Sequence, residues 1–173
     1  QVLGDTLLSL LKLIDVDSGA IWLRKEDRLE LQAADGVTDA FLEEESIQSL
    51  DKCICGQAVK EELPVTLADL NCGRDFLEAR CNCEAFAAAI GVPVRTGDEV
   101  VGILELASSR PRVFDEPDRD LLATVGYQIG SAVQKARLHQ ELQRLNDDLE
   151  DLVDKRTGEL LLAQDELAGK AEA

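Results

Sequence analysis

The first third of the chain shows a helical pattern of apolar residues followed by two strand patterns. Residues 2–14 place apolar side chains at helical spacing along one wide stripe, which predicts an amphipathic helix. Residues 20–23 form a short apolar run, and residues 29–33 alternate between apolar and polar positions, as half-buried strands do. The charged residues 25–27 lie between these runs and have the composition of a turn. This region therefore predicts a helix followed by a β-hairpin.

The middle of the chain predicts further strands and a short helix. Residues 39–50 are acidic and predict a short helix or an irregular segment, and another short helix is expected to begin at Gly56. Residues 64–67 predict a third strand. The apolar runs at 86–94 and 100–107 flank a polar segment that contains a Gly-Asp pair, which predicts a second β-hairpin.

A long helix without further proline is predicted to follow Pro117. Its first part carries apolar residues that we expect to face a core: Leu121, Leu122, Val125, Ile129, Ala132 and Val133. Further along, apolar residues recur in steps of three and four, interrupted only by Arg156: Leu138, Leu142, Leu145, Leu149, Val153, Leu160, Ala163 and Leu167. Two consecutive steps of four make a stutter in this heptad pattern. The pattern predicts a coiled-coil dimer, and a frayed amphipathic tail is the alternative.

The composition speaks against some classes of binding partner. The formal net charge is −17, from 35 acidic and 18 basic residues, which speaks against nucleic acid and anionic membrane surfaces because both require a cationic face. No run of about 20 apolar residues and no signal segment occur. We therefore expect a cytoplasmic protein without membrane contact in this fragment. Methionine is absent even at position 1, which indicates a piece of a longer protein.

All five cysteines fall within one short stretch of the chain: Cys53, Cys55, Cys72, Cys81 and Cys83. Four of them form two Cys-x-Cys pairs. Thiolates are soft ligands that suit zinc or an iron–sulfur cluster, and structural disulfides are rare in a reducing compartment. The cysteines therefore indicate a metal or redox site, with structural free thiols as the plainest alternative.

Three segments carry a resemblance to a known family. Residues 91–106, GVPVRTGDEVVGILEL, look like the central hairpin of GAF domains, and residues 114–122, FDEPDRDLL, look like the entry to their last helix. Residues 55–59 followed by Pro64 resemble the family's glycine turn, helix and third strand. The chain is similar to GAF domains over residues 3–137. The resemblance implies an α+β fold with a central antiparallel sheet flanked by helices, in which the N- and C-terminal helices form a dimer bundle and coiled coil.

The C-terminal tail carries a second resemblance. Residues 149–160, LEDLVDKRTGEL, resemble the signalling helix that couples GAF or PAS sensor domains to an output domain. We therefore expect a GAF sensor domain at 1–137, a coiled-coil signalling helix at 138–173, and a homodimer through the N- and C-terminal helices. The output domain would be a histidine kinase or a similar protein. No kinase catalytic motif occurs within the chain, so the fragment is expected not to be an enzyme.

The family resemblance implies several classes of small ligand. Haem and bilin sites of GAF domains rely on a histidine, and the single histidine, His139, lies on the predicted coiled coil. Residues 108–114 lack the Asn-Lys-x-x-x-Phe element of the cyclic-nucleotide sites. Free-methionine sulfoxide reductases of this fold need acidic residues at the end of the second hairpin, where this chain has Glu105 followed by Leu106 and Ala107.

The cysteines match sensor GAF domains, which often carry Cys-x-Cys-Gly and a later cysteine. We predict an iron–sulfur cluster that senses oxygen, nitric oxide or redox state, held by Cys53, Cys55, Cys81 and either Cys83, which completes the second pair, or Cys72. Gly56 favours a tight turn for the first pair. Zinc or a thiol/disulfide switch at the same cysteines is an alternative, as is a reductase. A further alternative is a plain ligand-binding and dimerisation module with an apolar pocket lined by Ile90, Val92, Ile103 and Leu104.

Overall fold

A computed structural model describes residues 2–44, 47–49, 54–67 and 86–171 of the chain. The elements in chain order are α1 (Val2–Ile14), β1 (Ser18–Lys25), β2 (Arg28–Asp35), α2 (Asp39–Glu44), β3 (Ile47–Ser49), α3 (Ile54–Glu61), β4 (Val65–Leu67), β5 (Ala88–Thr96), β6 (Glu99–Ser108) and α4 (Glu116–Ala171). The sequence predicted all of them except β3. Among the described residues, no helix is both long enough and apolar enough to cross a membrane.

The six strands form one sheet in the order β3-β2-β1-β6-β5-β4. Every neighbouring pair is antiparallel. The two predicted hairpins, β1–β2 and β5–β6, are joined through the pairing of β1 with β6. The predicted α+β fold with a central antiparallel sheet is therefore confirmed, while the dimer bundle stays a prediction.

One face of the sheet packs against α1 and α4. Leu7 of α1 and Leu106 of β6 both lie against Gly19 of β1, and Val92 of β5 lies against Gly126 of α4. Leu7, Val92 and Leu106 are all fully buried. Residues that lie directly opposite each other in antiparallel strands share a face, so this packing assigns the face of their partners as well.

The apolar pocket that the sequence suggested is divided between the two faces. Ile90 is paired with Leu106 and Val92 with Leu104, so these residues lie on the face covered by α1 and α4. Ile103 belongs to the core on the opposite face. The prediction that these residues line one pocket is wrong, because successive side chains of a strand point to opposite sides of the sheet.

The opposite face of the sheet packs against α3. Its buried core consists of Ala20, Trp22, Leu29, Ile54, Cys55, Ala58, Val59, Ala89, Val100, Ile103 and Ala107. Alanine and β-branched residues dominate this set, and Trp22 is its largest member. The sheet is thus buried on both faces, which explains why β5 and β6 read as nearly continuous apolar runs rather than as alternating ones.

The buried stripe of α4 differs from the predicted one. Leu122 and Ile129 are buried as expected, whereas Leu121 is 37% exposed and Ala132 is also exposed. The chain divides into two compact units, Gln1–Ala132 and Val133–Ala173. In the second unit the predicted seam residues are exposed in the single chain: Leu138, Leu142, Leu145, Leu149, Val153 and Leu160.

Arg112 ties the end of α1 to the beginning of α4. Asp15 adopts a left-handed backbone conformation with φ 57°, which ends α1. The Arg112 guanidinium donates to the carbonyl oxygens of Ile14 and Asp15 and pairs with Asp118 Oδ2 at 2.9 Å. It also lies 5.2 Å from the centre of the Phe114 ring. A cation at a helix C-terminus satisfies free carbonyls and favours the negative end of the helix dipole.

Replacing Arg112 with methionine is expected to lower the free energy of unfolding by about 2 kcal/mol, because two carbonyls and the partly buried Asp118 carboxylate lose a charged donor. Urea denaturation measures the change. The matched control is Arg119→Met, which removes an exposed guanidinium next to Asp118 in the first turn of α4 and should shift stability by less than about 0.5 kcal/mol. Equal losses in the two variants would show that Arg112 adds nothing specific.

Candidate functional site

Helix α3 places Cys55 inside the core rather than at a tight turn. The helix begins at Ile54, so Cys55 occupies its first turn and Gly56 lies within the helix. Cys55 is 0% exposed, and Ala58 and Val59, three and four residues later on the same side, are buried with it. Cys55 and Gly56 are therefore helical rather than in a tight turn, while Cys53, the other member of the pair, lies outside the described residues. Helical spacing directs the Cys55 thiol toward the sheet.

The Cys55 thiol contacts a carboxylate in the centre of the sheet. Its Sγ donates a hydrogen bond to Oε2 of Glu105 over 3.3 Å. Glu105 lies in the middle of β6 and is only partly buried. The pair joins α3 to β6 across 50 residues of chain.

Glu105 lies in a row of small residues that crosses the sheet. It is directly opposite Ala20 on β1 and Gly91 on β5. The row continues to Ala34 on β2 and to Val65 on β4. These five residues, here called the Glu105 row, share the α3 face, because residues that lie opposite one another in antiparallel strands share a side. Glu105 has the only long polar side chain in the row.

Helix α3 covers one end of the Glu105 row. A Cβ atom placed on Gly91 would lie 3.5 Å from the carbonyl oxygen of Ile54 and 3.6 Å from Ala58 Cβ, so the helix lies close to the sheet there. The next row along β1 and β6 contains Trp22 opposite Ile103, and both are fully buried. Glu105 therefore has the short side chains of its row on either side, α3 above part of the row, and the buried pair Trp22 and Ile103 next to it along the strands.

The predicted cysteine ligands are represented in the structure by Cys55 alone. Cys53, Cys72, Cys81 and Cys83 lie outside the described residues. Across residues 2–44, 47–49, 54–67 and 86–171, no group of three or more histidine, cysteine, aspartate or glutamate side chains is placed to hold a metal ion. Cys55 is accordingly seen beside Glu105, and the ligand set of an iron–sulfur cluster stays a prediction.

The sequence contains an indication of Glu105 as a site residue, which the spacing of the cysteines does not reveal. A carboxylate in a strand that is apolar on both faces is costly to bury unless it is hydrogen-bonded. Such a residue therefore indicates a polar site when it occurs in the middle of a run such as 100–107. The reductase pattern needs further acidic residues at this end of the hairpin. Ala107, the next residue on the same face as Glu105, is not acidic, and Leu106 points to the other face.

Comparison with known proteins identifies relatives over most of the chain. The family model described as "GAF domain" matches residues 1–134. The sensor histidine kinase YhcY of Bacillus subtilis is 30% identical, over 88% of this chain and 44% of that protein. The chain thus spans less than half the length of this curated relative.

Several solved structures share the fold. The GAF domain of a phosphoenolpyruvate-protein phosphotransferase from Coxiella burnetii has a TM-score of 0.70 at 17% identity, over 79% of this chain and 82% of that chain. The type II free methionine-R-sulfoxide reductase from Thermoplasma acidophilum has a TM-score of 0.67 at 19% identity, over 77% and 90%. The second GAF domain of DevS from Mycobacterium smegmatis has a TM-score of 0.63 at 21% identity, over 80% and 95%. At such identities the likeness shows the fold alone.

Proposed function

The chain belongs to the GAF domain family, and we propose that it is the sensory module of a signalling protein, in which a small polar ligand binds over the Glu105 row. The observation that carries this proposal is the carboxylate of Glu105 among short side chains on the α3 face of the sheet.

The chemistry of the row favours a ligand with hydrogen-bond donors. The side chains of Ala20 and Ala34 are single methyl groups, so they occupy little space above the sheet on the β1–β2 side of Glu105. A partly buried carboxylate binds a donor group strongly, because such hydrogen bonds are charge-assisted. Cys55 on α3 adds a polar sulfur to the same site. An apolar surround with a few polar groups is the usual composition of a small-molecule site.

The remainder of the chain fits the output side of a sensor. Helix α4 runs from Glu116 to Ala171 as one element. The similarity to a sensor histidine kinase supports an output domain of that kind in the whole protein. We propose that the ligand changes the packing of the sensory domain, that α4 passes the change to a kinase or a similar output domain, and that this takes place in the cytoplasm.

Ligand binding is tested by measuring thermal unfolding against a panel of small amines, amino acids, nucleotides and organic acids. A compound that binds the folded chain raises its Tm, by an amount that grows with concentration. Glu105→Gln should abolish or strongly reduce the shift, because a neutral amide cannot make the charge-assisted bond. Glu99→Gln is the matched control, since Glu99 is an exposed carboxylate at the start of the same strand. Equal shifts in both variants would remove Glu105 from the site.

A second candidate function is the iron–sulfur sensor predicted from the cysteines. The clustering of Cys53, Cys55, Cys81 and Cys83 or Cys72 in the sequence favours it. The contact between Cys55 and Glu105 bears on it, because a cluster ligand is a thiolate, and the charge of the bound iron would have to offset the neighbouring carboxylate. The same holds for zinc at these thiols.

Anaerobic purification followed by iron, sulfide and zinc analysis separates the two candidates. A sensor without a cluster yields folded protein that contains none of the three, and Cys55→Ala then leaves the metal content unchanged and lowers the free energy of unfolding by about 1–2 kcal/mol through the loss of packing. A cluster sensor yields iron and sulfide in comparable amounts, and Cys55→Ala loses both. Iron and sulfide that are present in the unmodified chain and lost in Cys55→Ala would replace the small-ligand proposal with the cluster.

We also propose that the chain is a homodimer through the exposed seam of α4. Leu142 and Leu149 are 65% and 59% exposed in the single chain, which is unfavourable for large apolar side chains that recur in heptad steps. Analytical ultracentrifugation should show a dimer for the unmodified chain and a monomer for Leu142→Glu, because a buried charge in the seam is not tolerated. Gln143→Glu, off the seam, should remain a dimer. A monomeric unmodified chain would contradict the proposal.

A further inference from the structure

Helix α3 ends at a residue that an arginine from β5 holds in place. Glu62 adopts a left-handed conformation with φ 56°, directly after the last helical residue, Glu61. Arg95 donates from Nη1 to the Glu62 carbonyl oxygen and from Nη2 to Glu62 Oε2, both over 2.8 Å. Its Nη2 also lies 3.3 Å from the carbonyl oxygen of Asp98 in the β5–β6 turn. The guanidinium thus fixes the C-terminal end of α3 to the central hairpin.

The backbone of the same arginine touches α4 on the other side of the sheet. A Cβ atom added to Gly130 would overlap the carbonyl oxygen of Arg95, and one added to Gly126 would lie 2.6 Å from the carbonyl oxygen of Pro93. The two glycines are one turn apart, so they lie on the same face of α4. This face of the helix therefore rests directly on the β5 backbone, without side chains between them.

Strand alternation gives Arg95 this double position. Val94 is fully buried, whereas the Arg95 side chain reaches the end of α3 on the opposite face. The register of β5 with β6 shifts between Val94 and Arg95, because Val101 of β6 has no partner on β5. β5 itself runs without an extra residue, so Arg95 keeps the face that alternation gives it. Arg95 consequently contacts α3 through its guanidinium and α4 through its carbonyl group.

We propose that Arg95 is the relay between the sensing helix α3 and the signalling helix α4; this inference rests on the proposed ligand site beside Cys55. Cys55 lies in the first turn of α3 and Glu62 directly follows its last, so a ligand that displaces the first turn moves the end that Arg95 holds. Through the Arg95 side chain the displacement reaches the β5 backbone, which touches Gly130 at the Arg95 carbonyl oxygen and Gly126 at the Pro93 carbonyl oxygen. Close-packed contacts of this kind transmit small shifts.

The relay is tested without ligand by residue-resolved amide hydrogen exchange on the 173-residue chain. Arg95→Met should raise exchange in the last turn of α3 by about tenfold, since the helix end loses a charged cap, and should also raise exchange at residues 126–132 of α4. Arg24→Met is the matched control, because Arg24 is exposed and donates to a backbone carbonyl, that of Glu26, in the other hairpin.

The reciprocal variant approaches the relay from α4. In Gly130→Ala the new methyl group displaces the Arg95 carbonyl, so exchange should rise in the last turn of α3 on the far side of the sheet. Gly158→Ala is its control, since a Cβ atom there meets nothing within 4 Å. In the double variant with Arg95→Met, the alanine should add less than about twofold to exchange in α3, because the link has already been removed.

Exchange that changes only in α4 for folded Gly130→Ala, and only in α3 for Arg95→Met, would overturn the relay and leave Arg95 as a simple helix cap. If Gly130→Ala does not fold, Gly126→Ala and Arg95→Met give the same decision. The outcome is independent of the ligand screen: coupled exchange with no ligand found contradicts the ligand site alone, and a Glu105-dependent ligand with uncoupled helices contradicts the relay alone.

Discussion

The central hairpin of β5 and β6 is buried on both faces, and this constraint organises the rest of the molecule. Each step along β6 sends a side chain to the opposite side, so Ile103 and Glu105 face α3 while Leu104 and Leu106 face the terminal helices. A slip of one residue would drive the carboxylate into the apolar layer beside Leu7, at a cost of several kcal/mol. The register is therefore strongly specified, and with it the position of the site.

Local signals made most of the elements predictable. A periodic pattern of apolar residues, a turn sequence or a proline lies within or next to each of α1, the two hairpins and α4. Strand β3 spans only Ile47–Ser49, which is too short to show a period. In α4, large apolar residues suggested a stripe through Leu121 and Ala132. The buried stripe instead includes Gly126 and Gly130. These glycines bury little apolar area, but they allow α4 to approach the β5 backbone closely.

The site was less predictable, because the sheet assembles it from residues far apart in the chain. Cysteine spacing drew attention to a local cluster, whereas Cys55 meets Glu105 only after β6 has paired with β1 and β5. The neighbours of Glu105 in its row, Ala20 and Gly91, carry no chemistry that a sequence motif could reveal. Their role is to be small, and smallness matters only once the register places them beside a carboxylate.

The left-handed ends of α1 and α3 have a consequence for folding. Asp15 and Glu62 stop their helices without glycine, in a conformation that costs a side-chain-bearing residue about 1 kcal/mol. The compensating arginines lie 98 residues beyond Ile14 and 33 residues beyond Glu62. Helix α1 also closes its end locally, through the hydrogen bond from the Val16 N–H to the Leu11 carbonyl oxygen, whereas the Glu62 carbonyl oxygen after α3 accepts from Arg95. Part of each helix terminus is therefore stabilised only by a residue of the folded sheet region, which couples the order of the two helices to the order of the sheet.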